Sequence, residues 1–175
     1  MSKILVLGLG NILLQDEGIG VRVAEYLQAH YTFPPHVRVL DGGVLGLDLL
    51  PYVEKAERLV VIDAVRSDKE PGTLIRLEGD EVPAFLSVKI SPHQEGLADL
   101  LAVAHLLDCY PTEVVLWGAV PASVGVGLEL SPTLQAQVEP LARLVLEELR
   151  RWGVEANTKG TKEHEGHERT RRTRA

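Results

Sequence analysis

Three stretches of the chain are apolar without alternation: residues 3–9 (KILVLGL), 58–63 (RLVVID) and 113–119 (EVVLWGA). Continuous runs of this length read as strands covered on both faces. A shorter run at residues 37–41 predicts a fourth. Between the strands the apolar positions recur at helical spacing: residues 18–30 with Val21, Ala24 and Leu27 on one face, residues 45–56, and residues 97–108 with Leu97, Leu100, Leu101, Ala104 and Leu107. Residues 73–78 (TLIRLE) alternate and follow Pro71-Gly72, which predicts an edge strand entered through a turn. A final helix starts at Ser131, a capping residue, with Pro132 in its first turn; Pro140 should bend it and Gly153 end it. Strands alternating with helices predict an α/β fold, a three-layer α/β/α sandwich around a mostly parallel twisted sheet of the phosphorylase/hydrolase-like kind. No internal repeat is present.

Composition then narrows the class. The chain has 175 residues, 18 Lys+Arg and 25 Asp+Glu, a formal charge of −7. Residues 157–175 hold six of the basic and three of the acidic side chains, so residues 1–156 carry the excess negative charge and no basic stripe. No nucleic-acid binding is expected of the body. From Asn157 onward the composition turns mainly to Lys, Glu, Gly, Thr and Arg, with no apolar residue but Ala175. The expectation is one domain at residues 1–156 and a disordered basic tail at 157–175. The most apolar stretch, residues 114–128, is broken by Pro121 and Ser123 and falls short of the roughly 20 residues of a spanning helix, so no membrane association is expected. Lys3 and the run after it lack a small-residue cleavage site, and the single Cys109 cannot form an internal disulfide, which together predict a cytoplasmic protein.

Ligands of a parallel sheet bind beyond the carboxyl ends of its strands. The residues there are Gly8-Leu9-Gly10-Asn11 and Asp16-Glu17-Gly18, Asp41-Gly42-Gly43, Asp63-Ala64, and Ser91-Pro92-His93-Gln94-Glu95. A dinucleotide-binding oxidoreductase is one reading, since Gly8-x-Gly10 follows a strand and Asp41 ends the next. Its third glycine is replaced by Leu13, and Asp16-Glu17 at the helix start would repel a pyrophosphate. A divalent-metal site built from Glu17, Asp63 and His93 is the other. Two carboxylates and an imidazole suit zinc or nickel, and three protein ligands leave a position open. Each has a plainer role open to it: Glu17 complementing the helix dipole, His93 an exposed loop residue. Asp63 follows a buried run, where a carboxylate is costly without a partner. Asp16 reads as a cap or as support for the ligands. His164-Glu165-Gly166-His167 has its histidines three apart rather than four, Cys109 reads as a small apolar filler, and no G-x-S-x-G is present.

The segments KILVLGLGNILLQDEGIGVRVAEYL, VLDGG, VIDA, EVPAFL, KISPHQEGLADLL and SPTLQAQVEP, in this order over residues 3–156, resemble the [NiFe]-hydrogenase maturation endopeptidases. The resemblance implies a peptidase, aspartyl-type or metal-dependent, that removes the C-terminal extension of the nickel-loaded large-subunit precursor. It implies Glu17, Asp63 and His93 as metal-contacting residues and Asp41, Gly42 and Gly43 in substrate recognition. It also implies nickel supplied by the substrate, with zinc or cadmium able to substitute, and a monomer whose partner is the precursor. Whether the ion recognises the precursor or polarises the scissile carbonyl is open at this point, and so is a non-catalytic nickel-dependent assembly factor.

Overall fold

A computed structural model describes residues 2–86 and 92–160, and of residues 92–95 the backbone only. In chain order the elements are β1 (Ile4–Leu9), α1 (Ile19–His30), β2 (Tyr31–Thr32), β3 (Val37–Gly43), α2 (Leu50–Val53), β4 (Arg58–Ala64), β5 (Leu74–Glu78), α3 (Glu81–Leu86), α4 (Pro92–Leu106), β6 (Glu113–Ala119), α5 (Pro132–Gln135), α6 (Val138–Arg151) and β7 (Asn157–Thr158). Short 3-10 turns at Gln15–Gly18 and Gly46–Leu49 precede α1 and α2.

The main sheet has the order β3-β1-β4-β6-β5. β1, β3, β4 and β6 are parallel, and β5 runs antiparallel on β6 from Leu74 opposite Ala119 to Glu78 opposite Val115. The alternating segment is therefore the edge strand that its pattern predicts. The continuous runs are buried because both faces of the sheet are covered. Ile4 and Val6 of β1 and Val60 and Ile62 of β4 join Ile19, Val23 and Leu27 of α1 and Leu141, Val145 and Leu149 of α6. Leu5, Leu7, Leu59 and Val61 point the other way, into a second cluster with Val53, Val82, Leu97, Leu100 and Ala104. This is the expected three-layer sandwich.

Three local expectations change. Residues 45–56, read as one helix, form a 3-10 turn and a single α-turn, because Gly46 has φ +41° and Pro51 lacks an amide hydrogen. The bend expected at Pro140 is a full break: α5 stops at Gln135, and Pro140 sits in the first turn of α6, where its missing donor costs nothing. Asn157 and Thr158 pair antiparallel with Thr32 and Tyr31, so backbone pairing to the domain continues past residue 156. Residues 161–175, and with them His164 and His167, lie outside the described residues. No helix among the described residues is long and apolar enough to cross a membrane.

Candidate functional site

The parallel strands all end on one rim, and so does the start of β5. Glu17 reaches it through the 3-10 turn ahead of α1. That helix sits tightly against the strand ends because it carries glycine at the crossing. A Cβ on Gly20 would lie 2.0 Å from the carbonyl oxygen of Ile62 and 2.3 Å from that of Leu9. Contacts this close admit only glycine. The same crossing brings the turn that carries Glu17 to the end of β4, where Asp63 stands.

Both acids are buried, Glu17 at 6% exposure and Asp63 at 1%. The amide of Ala64 donates to Oδ1 of Asp63 at 2.7 Å. Glu17 Oε1 accepts from Nη2 of Arg66 at 3.1 Å, the arginine lying three residues beyond Asp63 and 46% exposed at its side chain. Arg66 carries no motif; the signal available in the sequence was a lone cation just past the end of a buried strand.

Asp16 has a different role from its neighbour. Its Oδ2 accepts from the amides of Ala122 and Ser123, both at 2.9 Å, and from the Ser131 hydroxyl at 2.8 Å, and its Oδ1 accepts from the Ser131 amide at 2.7 Å. Ser131 in turn accepts from the amide of Leu134 and caps α5, as its sequence position predicts. Asp16 thus ties the loop after β6 to the turn that presents Glu17. The backbone adds to this tie, with Gln15 N to Gly127 O at 3.0 Å and Asp16 N to Ser123 O at 3.1 Å.

Asp41, Gly42 and Gly43 close β3 on the same rim. The Gly43 amide donates to Asp41 Oδ1 at 2.9 Å, and the Gly43 carbonyl accepts from the Gly10 amide at 2.9 Å, which holds the loop beside the end of β1. A Cβ on Gly42 would lie 2.7 Å from Leu7 Cδ1, inside the core. Asp41 itself is exposed. The chain then turns at Gly46, whose Cα meets Gly96 of α4: a Cβ on Gly96 would lie 3.0 Å from it. This contact sets the residue just past the first turn of α4 beside the chain that follows the Asp41-Gly42-Gly43 loop. His93 belongs to that turn, one residue past Pro92, and its side chain lies outside the described residues.

Among the described residues, which exclude that imidazole, no group of three or more His, Cys, Asp and Glu side chains could hold an ion. Glu17 and Asp63 are buried oxygen donors on one rim, and the backbone of His93, the third candidate ligand, is in the first turn of α4. The rim is also apolar. Of the nine large hydrophobic residues exposed among those described, Leu13, Val44, Leu45, Leu47, Val124, Val126 and Leu128 belong to loops at the carboxyl ends of β1, β3 and β6. Contiguous exposed apolar patches are a feature of interaction surfaces in general. For Leu45 and Leu47 the sequence pattern hides this, because residues 45–56 scan as a helix.

Residues 21–148 match the family described as hydrogenase maturation protease, HycI. The hydrogenase 2 maturation protease of Escherichia coli is 46% identical over 155 residues, 88% of this chain and 94% of that protein. The hydrogenase expression/formation protein HupD of Rhodobacter capsulatus is 43% identical, over 91% of this chain and 76% of its own length. Among solved structures, the hydrogenase maturating endopeptidase HybD from E. coli superposes with a TM-score of 0.87 at 44% identity, covering 90% of this chain and 98% of that one. The [NiFe] hydrogenase maturation protease HybD from Thermococcus kodakarensis gives 0.68 at 30% identity, covering 84% and 98%.

Proposed function

Since the chain belongs to the hydrogenase maturation protease family and is a peptidase, we propose that its substrate is the nickel-loaded large-subunit precursor of a [NiFe] hydrogenase, from which it removes the C-terminal extension. The observation that carries this reading is the burial of Glu17 and Asp63 on one rim. Desolvated carboxylates are costly, and two of them on a rim that also exposes leucine and valine support a reading in which a cation and a polypeptide bind there.

In this reading the precursor's nickel is part of the substrate. Glu17, Asp63 and His93 complete its coordination, and Asp41, Gly42 and Gly43 meet the peptide beside it. Docking at both points makes the cleavage a reaction within one complex, which lowers the barrier by positioning. Recognition of the ion, rather than activation of water by a resident metal, fits a site whose acids are already engaged by Arg66 and by a backbone amide. Zinc or cadmium would occupy the same ligands in the absence of nickel. The enzyme acts as a cytoplasmic monomer on this view.

The test is mass spectrometry of a nickel-loaded precursor incubated with the purified chain. Loss of a C-terminal peptide is expected. Glu17→Gln, Asp63→Asn and His93→Ala should each lower the cleavage rate by at least about a hundredfold, the upper range seen even for residues that merely support metal ligands, while circular dichroism shows the fold intact. An uncut precursor held in a stable complex with the wild-type chain would make it an assembly factor instead.

A further inference from the structure

Glu17 and Arg66 form a pair whose two halves differ sharply in freedom. The Glu17 side chain is buried, at 7% exposure, while the Arg66 side chain is 46% exposed. A buried carboxylate needs either several hydrogen-bond donors, as Asp16 has, or a counter-charge to stand against it. Arg66 supplies that charge through one nitrogen, Nη2, at 3.1 Å. The usual two-bonded fork of arginine on a carboxylate is not made here. The arginine also lines a hollow of about 260 Å³ with Ser67, Pro121, Ser123 and Val124, so the side chain has room to swing off the acid without entering the core.

We propose that Arg66 is a displaceable counter-ion: it occupies Glu17 until a divalent cation arrives, and has to leave before the ion can bind. The inference rests on the reading of Glu17 as an ion ligand. A guanidinium within hydrogen-bonding distance of that ligand repels an incoming cation and competes for the same oxygen. The consequence is selectivity. A loose aqueous ion gains only its own ligand bonds and must break the pair to get them. An ion delivered inside a docked polypeptide brings the binding free energy of the peptide as well, and that offsets the loss of the pair. Arg66 thus biases the site toward cargo and against free metal.

The experiment measures cadmium(II) affinity of the purified full chain by competition with a chromophoric chelator. Arg66→Ala should bind cadmium about tenfold more tightly than wild type, the equivalent of one charge-assisted hydrogen bond, and Arg66→Lys should stay near the wild-type value. Glu17→Gln should abolish binding, and adding Arg66→Ala to it should restore none. Unchanged or weaker cadmium binding by Arg66→Ala, with Glu17→Gln still inactive in binding, overturns the counter-ion role and leaves the ion site standing. Cadmium binding by Glu17→Gln equal to wild type overturns the site and the inference together. Should Arg66→Ala fail to fold in a thermal melt, Arg66→Gln, which keeps the stem and removes the charge, carries the same expectation.

Discussion

Two buried glutamates of this chain stand in opposite situations. Glu148, on α6 and 2% exposed, accepts from Arg76 through Nε at 2.5 Å and Nη2 at 3.3 Å, from the Trp117 indole at 3.2 Å and from Arg151 at 3.4 Å. It joins β5, β6 and its own helix through one carboxylate. Burial works against its charge, but the hydrogen bonds and charge of Arg76, with help from Trp117 and Arg151, hold its pKa below the ordinary carboxylate value. Glu17, on the rim, has Arg66 alone among the described residues. The difference separates an acid the fold uses from an acid the fold keeps available. Asp16 shows that the contrast is local, since it lies next to Glu17 in sequence and receives four hydrogen bonds.

That contrast can be broken at either end. The largest effect is expected from Glu148→Ala, which leaves Arg76 with Glu78 alone and takes the acceptor from Trp117 Nε1 in a partly buried place, and should cost about 3 kcal/mol of stability in urea unfolding. Asp16→Ala comes next, at about 2 kcal/mol for the amides of Ala122, Ser123 and Ser131 that lose their acceptor. It should also expose the loop at residues 121–131 to limited proteolysis, which Glu148→Ala should not. A smaller effect is the acid dependence of Glu148. Its folded pKa lies below its unfolded one, so its contribution is complete above the unfolded value, near 4.3, and is lost as pH falls through the folded value. Urea midpoints at pH 7 and pH 3 should therefore differ less in Glu148→Gln than in wild type. The smallest effect is expected of Glu17→Gln, within about 0.5 kcal/mol of wild-type stability, since a site residue kept for function contributes little to the fold. A loss near that of Glu148→Ala would put Glu17 among the structural acids and remove the contrast.

Much of the fold was legible along the chain. The apolar runs at β1, β4 and β6 and the alternating β5 are observed where their patterns put them, because a strand's periodicity reports directly on how many of its faces are covered. Helix ends followed from Ser131 and Gly153, the latter at φ +79° just past α6. The misread segments are those where a local rule met a tertiary demand. Residues 45–56 have helical spacing, yet Gly46 must turn to meet Gly96, and the helix is given up for that contact. β2 and β7 are too short to register as a pattern, and each strand exists only because the other lies beside it.

What the sequence determined by itself is the layer order, the rim on which chemistry must sit, and the acids at the strand ends, since each depends on residues close together in the chain or on hydrophobic period alone. What only the tertiary structure decided is which partners those acids have. Asp16 and Glu17 are adjacent and chemically alike; the sequence reads the first as a cap or support and the second as a candidate ligand, but it names no partner for either. They differ because a 3-10 turn sends one carboxylate to amides more than a hundred residues away and the other to an arginine that follows β4. Hydrogen bonds between distant segments are properties of the folded arrangement, and it is they that leave Glu17, among the described residues, with a single, partly exposed partner.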